Sequence, residues 1–291
     1  MMRVLVAGWF SIEGGGATAG DMLVRDVICG GLDAQGIAYD VAQERALGAG
    51  VDWFRVAPSR YTHLLFACGP VAAELAVGEL IERFAGCRRV AVNVSLLGDP
   101  SWRPFDLVLE RDGAQITRAD LAILAPATTA PVVALVRTST QLEYPGSRPH
   151  DAHAAFDRLL AKREAATFVI DTVLDADSPG RRSAAEVSAL MAKADVVLTT
   201  RLHGLVLAIS QGVPAVAIDS VIGGAKVIAQ ARALAWPAAM TVDELNDEDL
   251  ARHYDWCLTP DAQRLALSTA LAGAANARRA ADELGAYLAR R

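Results

Sequence analysis

The sequence predicts an α/β chain of two Rossmann-like domains facing a cleft and ending in helices, and three observations carry that expectation. Short apolar runs alternate with helix-length segments, as parallel β/α units do. The alternation stops at 125–131, an uncharged stretch with two prolines, and then starts again. At 291 residues the chain also exceeds what one compact core usually holds.

In the first half, apolar runs at 4–7, 63–67, 90–94 and 107–109 read as strands, separated by helix-length segments such as 20–35 and 73–84. The break at 125–131 divides the chain into an N-terminal domain, 1–127, and a C-terminal domain, 128–291. The second domain has apolar runs at 132–136, 168–170, 196–198 and 215–218. Within it, 195–218 reads as a β-branched strand, a short helix over 204–211, a turn at Gly212 and Pro214, and another strand. Thr259-Pro260 is an N-cap and first-turn pair that opens an Ala- and Leu-rich segment of one or two terminal helices.

The composition, 53% apolar and 21% charged with a mean hydropathy of +0.26, is ample for two buried cores and leaves no polar tract that must stay disordered. A net charge of −6 argues against a non-specific nucleic-acid binder, which needs an excess of Lys and Arg. Any anion site is therefore local. Cys29, Cys68, Cys87 and Cys257 form no C-x-x-C pair, so neither a zinc site nor a disulfide framework is signalled, and a cytoplasmic setting fits. Residues 1–8 lack a basic leader and read as a first strand rather than a signal peptide. The uncharged run 121–136 contains Pro126 and Pro131 and is short of a spanning helix, so membrane contact is at most peripheral.

Chemistry is concentrated in Thr199-Thr200-Arg201-Leu202-His203-Gly204, at the carboxyl end of a strand and just before a helix. Ligands of open α/β sheets bind outside those strand ends, and a helix N-terminus adds amides that favour anions. If extended geometry continues, Arg201 and His203 project to one side and converge on one ligand. The alternative is that Arg201 caps a helix or pairs with Asp195 while His203 is a satisfied core residue.

The block 195–218, D-V-V-L-T-T-R-L-H-G-L-V-L-A-I-S-Q-G-V-P-A-V-A-I, resembles the signature of the polysaccharide pyruvyl transferase family, with its Arg-Leu-His, small-residue helix and Gly-Val-Pro. Gly8-Trp9-Phe10 through Gly20-Asp21 looks like the family's glycine-rich turn ending in Gly-Asp, and 107–112 looks like its Leu-Val-x-x-Arg-Asp strand end. The chain departs from the family where Gly14-Gly15-Gly16-Ala17-Thr18-Ala19 replaces the usual Asn ahead of Gly-Asp.

The resemblance implies a GT-B-like pair of domains and a transferase that makes a cyclic pyruvate ketal on a sugar, glycolipid or polysaccharide diol from phosphoenolpyruvate, releasing phosphate. Its two anionic groups call for several cations, because guanidinium groups match oxyanions in forked geometry. Arg201, Arg111, Arg137 and Lys226 are the candidates for the donor, with Gly204 in the first turn of the adjoining helix. Lys226 follows Gly223-Gly224, where the family often has a lysine.

His203 is the candidate acid, since imidazole titrates near neutrality, and Asp21 the candidate acceptor of a hydroxyl proton. Gly14, Gly15 and Gly16 read as a closing loop on the acceptor side. Asp171, Asp175 and Asp177 have no histidine at ligand spacing and read as a solvated loop, so neither a metal nor a cofactor is expected beside phosphoenolpyruvate as co-substrate. Two rivals stay open: a GT-B nucleotide-sugar glycosyltransferase, for which Glu244 or Glu248 would serve the ribose, and a non-catalytic sugar-binding homologue.

Overall fold

The computed structural model describes residues 2–14, 16–73, 75–98, 102, 104–113, 116–126, 130–139 and 143–290. The chain divides into two compact units, Met1–Ala127 and Thr128–Arg291, each with its own parallel sheet.

The first unit holds strands β1 (Arg3–Gly8), β2 (Ala38–Val41), β3 (His63–Ala67), β4 (Pro70–Val71), β5 (Arg88–Leu96) and β6 (Leu107–Glu110), with helices α1 (Ala19–Ala34) and α2 (Val77–Arg83). The order runs β2-β1-β3-β5-β4, with β6 also paired to β5, and every pairing is parallel. Buried Leu5, Leu64, Phe66, Leu80, Phe84 and Ala91 form the main core of this unit. The register of β5 on β6 slips between Val92 and Val94, around Asn93, whose φ of 59° lies in the left-handed region.

The second unit holds β7 (Val132–Val136), α3 (Pro149–Leu160), β8 (Ala166–Val169), α4 (Ala184–Met191), β9 (Val196–Thr199), α5 (Leu202–Ser210), β10 (Ala215–Asp219), α6 (Lys226–Ala233), β11 (Ala239–Thr241), α7 (Asp247–Cys257) and α8 (Pro260–Leu288). The sheet order is β11-β10-β9-β7-β8, again all parallel. β9 and β10 are buried along their whole length, as strands covered on both faces must be, which explains their unbroken apolar runs. Thr259 accepts from the Ala262 amide at 3.3 Å and starts a single helix, α8, whose first turns pack through Ala262, Ala266 and Thr269. No helix among the described residues is long and apolar enough to cross a membrane.

In both sheets the second strand lies on one side of the first and the third on the other. The crossovers therefore leave in opposite directions from β1/β3 and from β7/β9. At such a switch point the loops diverge and leave a crevice at the carboxyl ends of the two strands.

Candidate functional site

The carboxyl ends of β7 and β9 are tied together by a compact set of hydrogen bonds. Thr200 N–H donates to Val136 O at 3.0 Å, and the Thr138 amide donates to Thr200 Oγ1 at 2.8 Å. Thr199, fully buried, donates its hydroxyl to Val136 O at 3.1 Å and accepts the Arg201 amide at 2.9 Å. These bonds turn the chain sharply from β9 into α5. The turn depends on Gly204: a Cβ there would stand 2.0 Å from Thr199 Oγ1 and 3.0 Å from Val136 Cγ1. Gly204 is thus buried in the helix–sheet contact, so its share in the site is the closeness with which α5 meets β9.

Arg201 occupies the N-cap position of α5 but makes no side-chain cap, which leaves its guanidinium for other partners. Its Nε donates to Arg137 O at 2.8 Å, so the two arginines of the switch point are joined side chain to backbone. Its Nη2 lies 3.2 Å from Asp171 Oδ1, at the exit of β8. Arg137 pairs with Asp157 of α3, and its Nε is buried without a hydrogen-bond partner among the described residues. His153, also on α3, brings Nε2 to 3.4 Å from Thr200 Oγ1. Burial, followed by the charges of Arg137 and His150, holds the His153 imidazole below its ordinary pKa and favours the neutral ring.

Two sequence expectations change here. Strand alternation no longer relates Arg201 and His203, because Arg201 is the last extended residue and the helix begins at Leu202. His203 is nevertheless exposed in the first turn of α5, which removes the core-histidine alternative. The acidic residues after β8 are not merely a solvated loop: Asp171 pairs with Arg201, and Asp175 accepts from Arg181 at 2.9 Å. Asp195 accepts the Val132 amide at 2.7 Å and is no partner of Arg201.

Lys226 opens α6, where its ammonium sits over the Tyr144 ring, 5.1 Å from the centroid. The N-terminus of α6 is already filled by Asp219, 1% exposed, whose Oδ2 accepts from the Ala225, Val227 and Ile228 amides at 2.7, 3.0 and 2.9 Å. Glu244 accepts from Thr241 Oγ1 at 2.9 Å.

In the first unit, Arg111 leaves β6 and donates to Asp120 at 2.9 Å and to Ser95 Oγ at 3.1 Å. Asp120 also accepts from Asn93 Nδ2 at 3.1 Å and from the Ala122 amide at 2.8 Å. Burial pushes the Asp120 carboxyl upward, but the Ala122 amide, Arg111 and Asn93 outweigh it and hold the group below the ordinary carboxylate range. Asp21 stands in a capping box at the start of α1, with Oδ2 accepting from the Thr18 amide at 2.7 Å and from its hydroxyl at 2.8 Å. Gly14 and Gly16 have φ of 66° and 73° in an exposed turn, and Gly15 lies outside the described residues.

His153, Thr138, Thr200 and Asp171 join the site without having been singled out as its members from the sequence. Thr200 lies in the signature block; the other three carry no local motif. Among the described residues no three His, Cys, Asp or Glu side chains gather as a metal site would require.

The polysaccharide pyruvyl transferase family model matches residues 81–220. That stretch holds Arg111, Arg137, Arg201, His203 and Gly204, and leaves out Asp21, the glycine turn and Lys226. No curated protein is similar enough to the chain to count as a match. Among solved structures, the spinosyn rhamnosyltransferase SpnG, complexed with spinosyn aglycone, is 14% identical, with 94% of this chain and 96% of that one covered at a TM-score of 0.35. The glycotransferase of kitacinnamycin is 11% identical, with 98% of both chains covered and a TM-score of 0.37. MurG of Acinetobacter baumannii is 14% identical over 93% of this chain and 95% of its own, with a TM-score of 0.30.

Proposed function

We propose, on the premise that residues 81–220 carry a polysaccharide pyruvyl transferase domain, that the chain forms a pyruvate ketal on a sugar or polysaccharide diol from phosphoenolpyruvate and releases phosphate. The domain match supports the broader reading, a transferase acting in polysaccharide modification. The observation that supports the finer one is the joined pair Arg137 and Arg201 at the β7/β9 switch point. A guanidinium anchored on the backbone of a second arginine, at the strand ends that carry both cations, suits an anionic ligand, and phosphoenolpyruvate has a phosphate and a carboxylate.

In this reading a proton is added to the methylene carbon, and the adjacent carbon becomes cationic. One sugar hydroxyl adds there and loses its proton. The carbon–oxygen bond to phosphate then breaks with its electron pair leaving on phosphate, and the second hydroxyl closes the ring as its proton departs. Of the two protons released, one balances the proton added to carbon and the other leaves with phosphate or solvent.

His203 is the proton donor in this scheme, exposed in the first turn of α5 two positions after Arg201. Arg201 and Arg137 stabilise the departing phosphate, a task that needs no metal ion. Lys226 and Arg111 are further candidates for the donor's charge, although each already has a partner in Tyr144 and Asp120. Asp21 is the candidate acceptor of a hydroxyl proton through Oδ1, because Thr18 holds Oδ2.

The test is phosphate release from phosphoenolpyruvate across a panel of diol-bearing glycosides, with mass spectrometry of the product. The expected product is heavier than the acceptor by one pyruvic acid less one water. Transfer of a sugar from a nucleotide-sugar, with phosphoenolpyruvate left intact, would replace this reading with the glycosyltransferase one.

A further inference from the structure

Arg201 bears an internal carboxylate where the proposed function needs an anionic ligand. We propose that Asp171 is a counter-ion of Arg201 that the anion displaces, so that Asp171 sets how tightly the site holds its ligand. The inference rests on the reading of Arg201 as an anion ligand.

Asp171 does not depend on Arg201. Its Oδ1 accepts the Val173 amide at 3.0 Å, and Arg181 Nη1 lies 4.0 Å from its Oδ2. Arg181 is in turn fixed by Asp175 and by Ser178 Oγ at 2.9 and 3.1 Å. The Asp171 side chain is 33% exposed, so releasing Arg201 leaves a carboxylate that is hydrogen-bonded, near a second cation and in reach of water. The penalty for orphaning a buried charge does not arise.

Nor does Arg201 depend on Asp171. Its Nε stays on Arg137 O at 2.8 Å, and its backbone is set by Thr199 and the start of α5. The Asp171 contacts are the long ones, at 3.2 and 3.5 Å to Nη2. Removing the Asp171 charge therefore leaves the guanidinium in place and frees a donor. If Asp171 were a brace instead, its removal would loosen Arg201 and weaken the ligand, so the sign of the effect separates the two roles.

Sulfate is a suitable probe, being a phosphate-sized dianion that does not titrate near neutral pH. Its dissociation constant is measured by calorimetry at constant ionic strength on the wild type, Asp171→Asn, Asp171→Ser and Arg201→Gln. Both substitutions at 171 keep an acceptor for the Val173 amide, and Ser covers the case in which the Asn protein folds poorly. The expected result is sulfate held roughly two- to fivefold more tightly by the 171 variants, the range of a partly exposed ion pair, and loss of binding in Arg201→Gln. Unchanged or weaker binding in the 171 variants, with Arg201→Gln still defective, overturns the counter-ion alone. Sulfate binding as strong in Arg201→Gln as in the wild type overturns the reading of Arg201 and the counter-ion with it.

Discussion

Replacing Gly204 by Ala asks whether the close meeting of α5 and β9 builds the site. The added Cβ would stand 2.0 Å from Thr199 Oγ1, 2.9 Å from Thr199 Cβ and 3.0 Å from Val136 Cγ1, all well inside ordinary contact. The helix or Thr199 must move, and overpacking of this kind costs about 1–3 kcal/mol. Displacing the Thr199 hydroxyl from Val136 O adds about 1 kcal/mol, whereas Ala in place of Gly inside a helix returns about 1 kcal/mol. The clash wins, with a net loss of about 1–3 kcal/mol. Calorimetric unfolding should show it as a lowered Tm. Gly30→Ala in α1 is the control, because a Cβ there meets nothing within 4 Å and the helix gain of about 0.5–1 kcal/mol is unopposed. Gly204→Ala should also weaken sulfate binding, since Arg201 stands at the N-cap position of the displaced helix. A Gly204→Ala protein as stable as the wild type, with sulfate affinity intact, would refute the reasoning.

Further outcomes follow from the same geometry. Arg201→Ala should weaken donor binding by about 1.5–3 kcal/mol, the loss of a charged hydrogen bond, as read from calorimetry with phosphoenolpyruvate. His203→Asn, at an exposed position, should leave Tm unchanged while single-turnover rates fall roughly 10²- to 10⁴-fold; a slow protein with lowered Tm would mark a structural residue instead. Asp120 has its folded pKa below the ordinary carboxylate value, so its contribution to stability is present above about pH 4 and is lost as pH falls through the depressed value. Asp120→Asn should accordingly be less stable than the wild type at pH 7, with the gap narrowing in urea titrations as pH drops below about 4. Turnover should survive EDTA, and loss in chelator with recovery on adding magnesium or manganese would contradict the arginine-based account of phosphate departure.

The alternation of apolar runs located the strands that are buried on both faces, such as β9 and β10, because nothing but apolar sequence can occupy them. It passed over β2 and β11, which lie at sheet edges, are short, and in β2 carry Asp40, held at 2.8 Å by Arg3. The beginning of α5 was obscured because Leu202 and His203 continue an extended pattern, and only the bonds of Thr199 and the closeness allowed by Gly204 show where the chain turns. Arg201 was legible through the residues around it. Its partners were not: Asp171 lies on another strand's exit and Arg137 on a third, 30 and 64 positions away, and only the strand order brings them together. His153 faces Thr200 from a helix whose sequence marks no site.

The central claim is that the arginines of the β7/β9 switch point hold phosphoenolpyruvate, and calorimetric titration of this ligand into the wild type, Arg137→Gln and Arg201→Gln tests it most directly. Saturable binding to the wild type without any acceptor is expected, with marked loss in each variant, Tm preserved, and little or no heat from UDP-sugars. Binding of phosphoenolpyruvate unaffected by either substitution, or saturation by a UDP-sugar where phosphoenolpyruvate fails to bind, would contradict it.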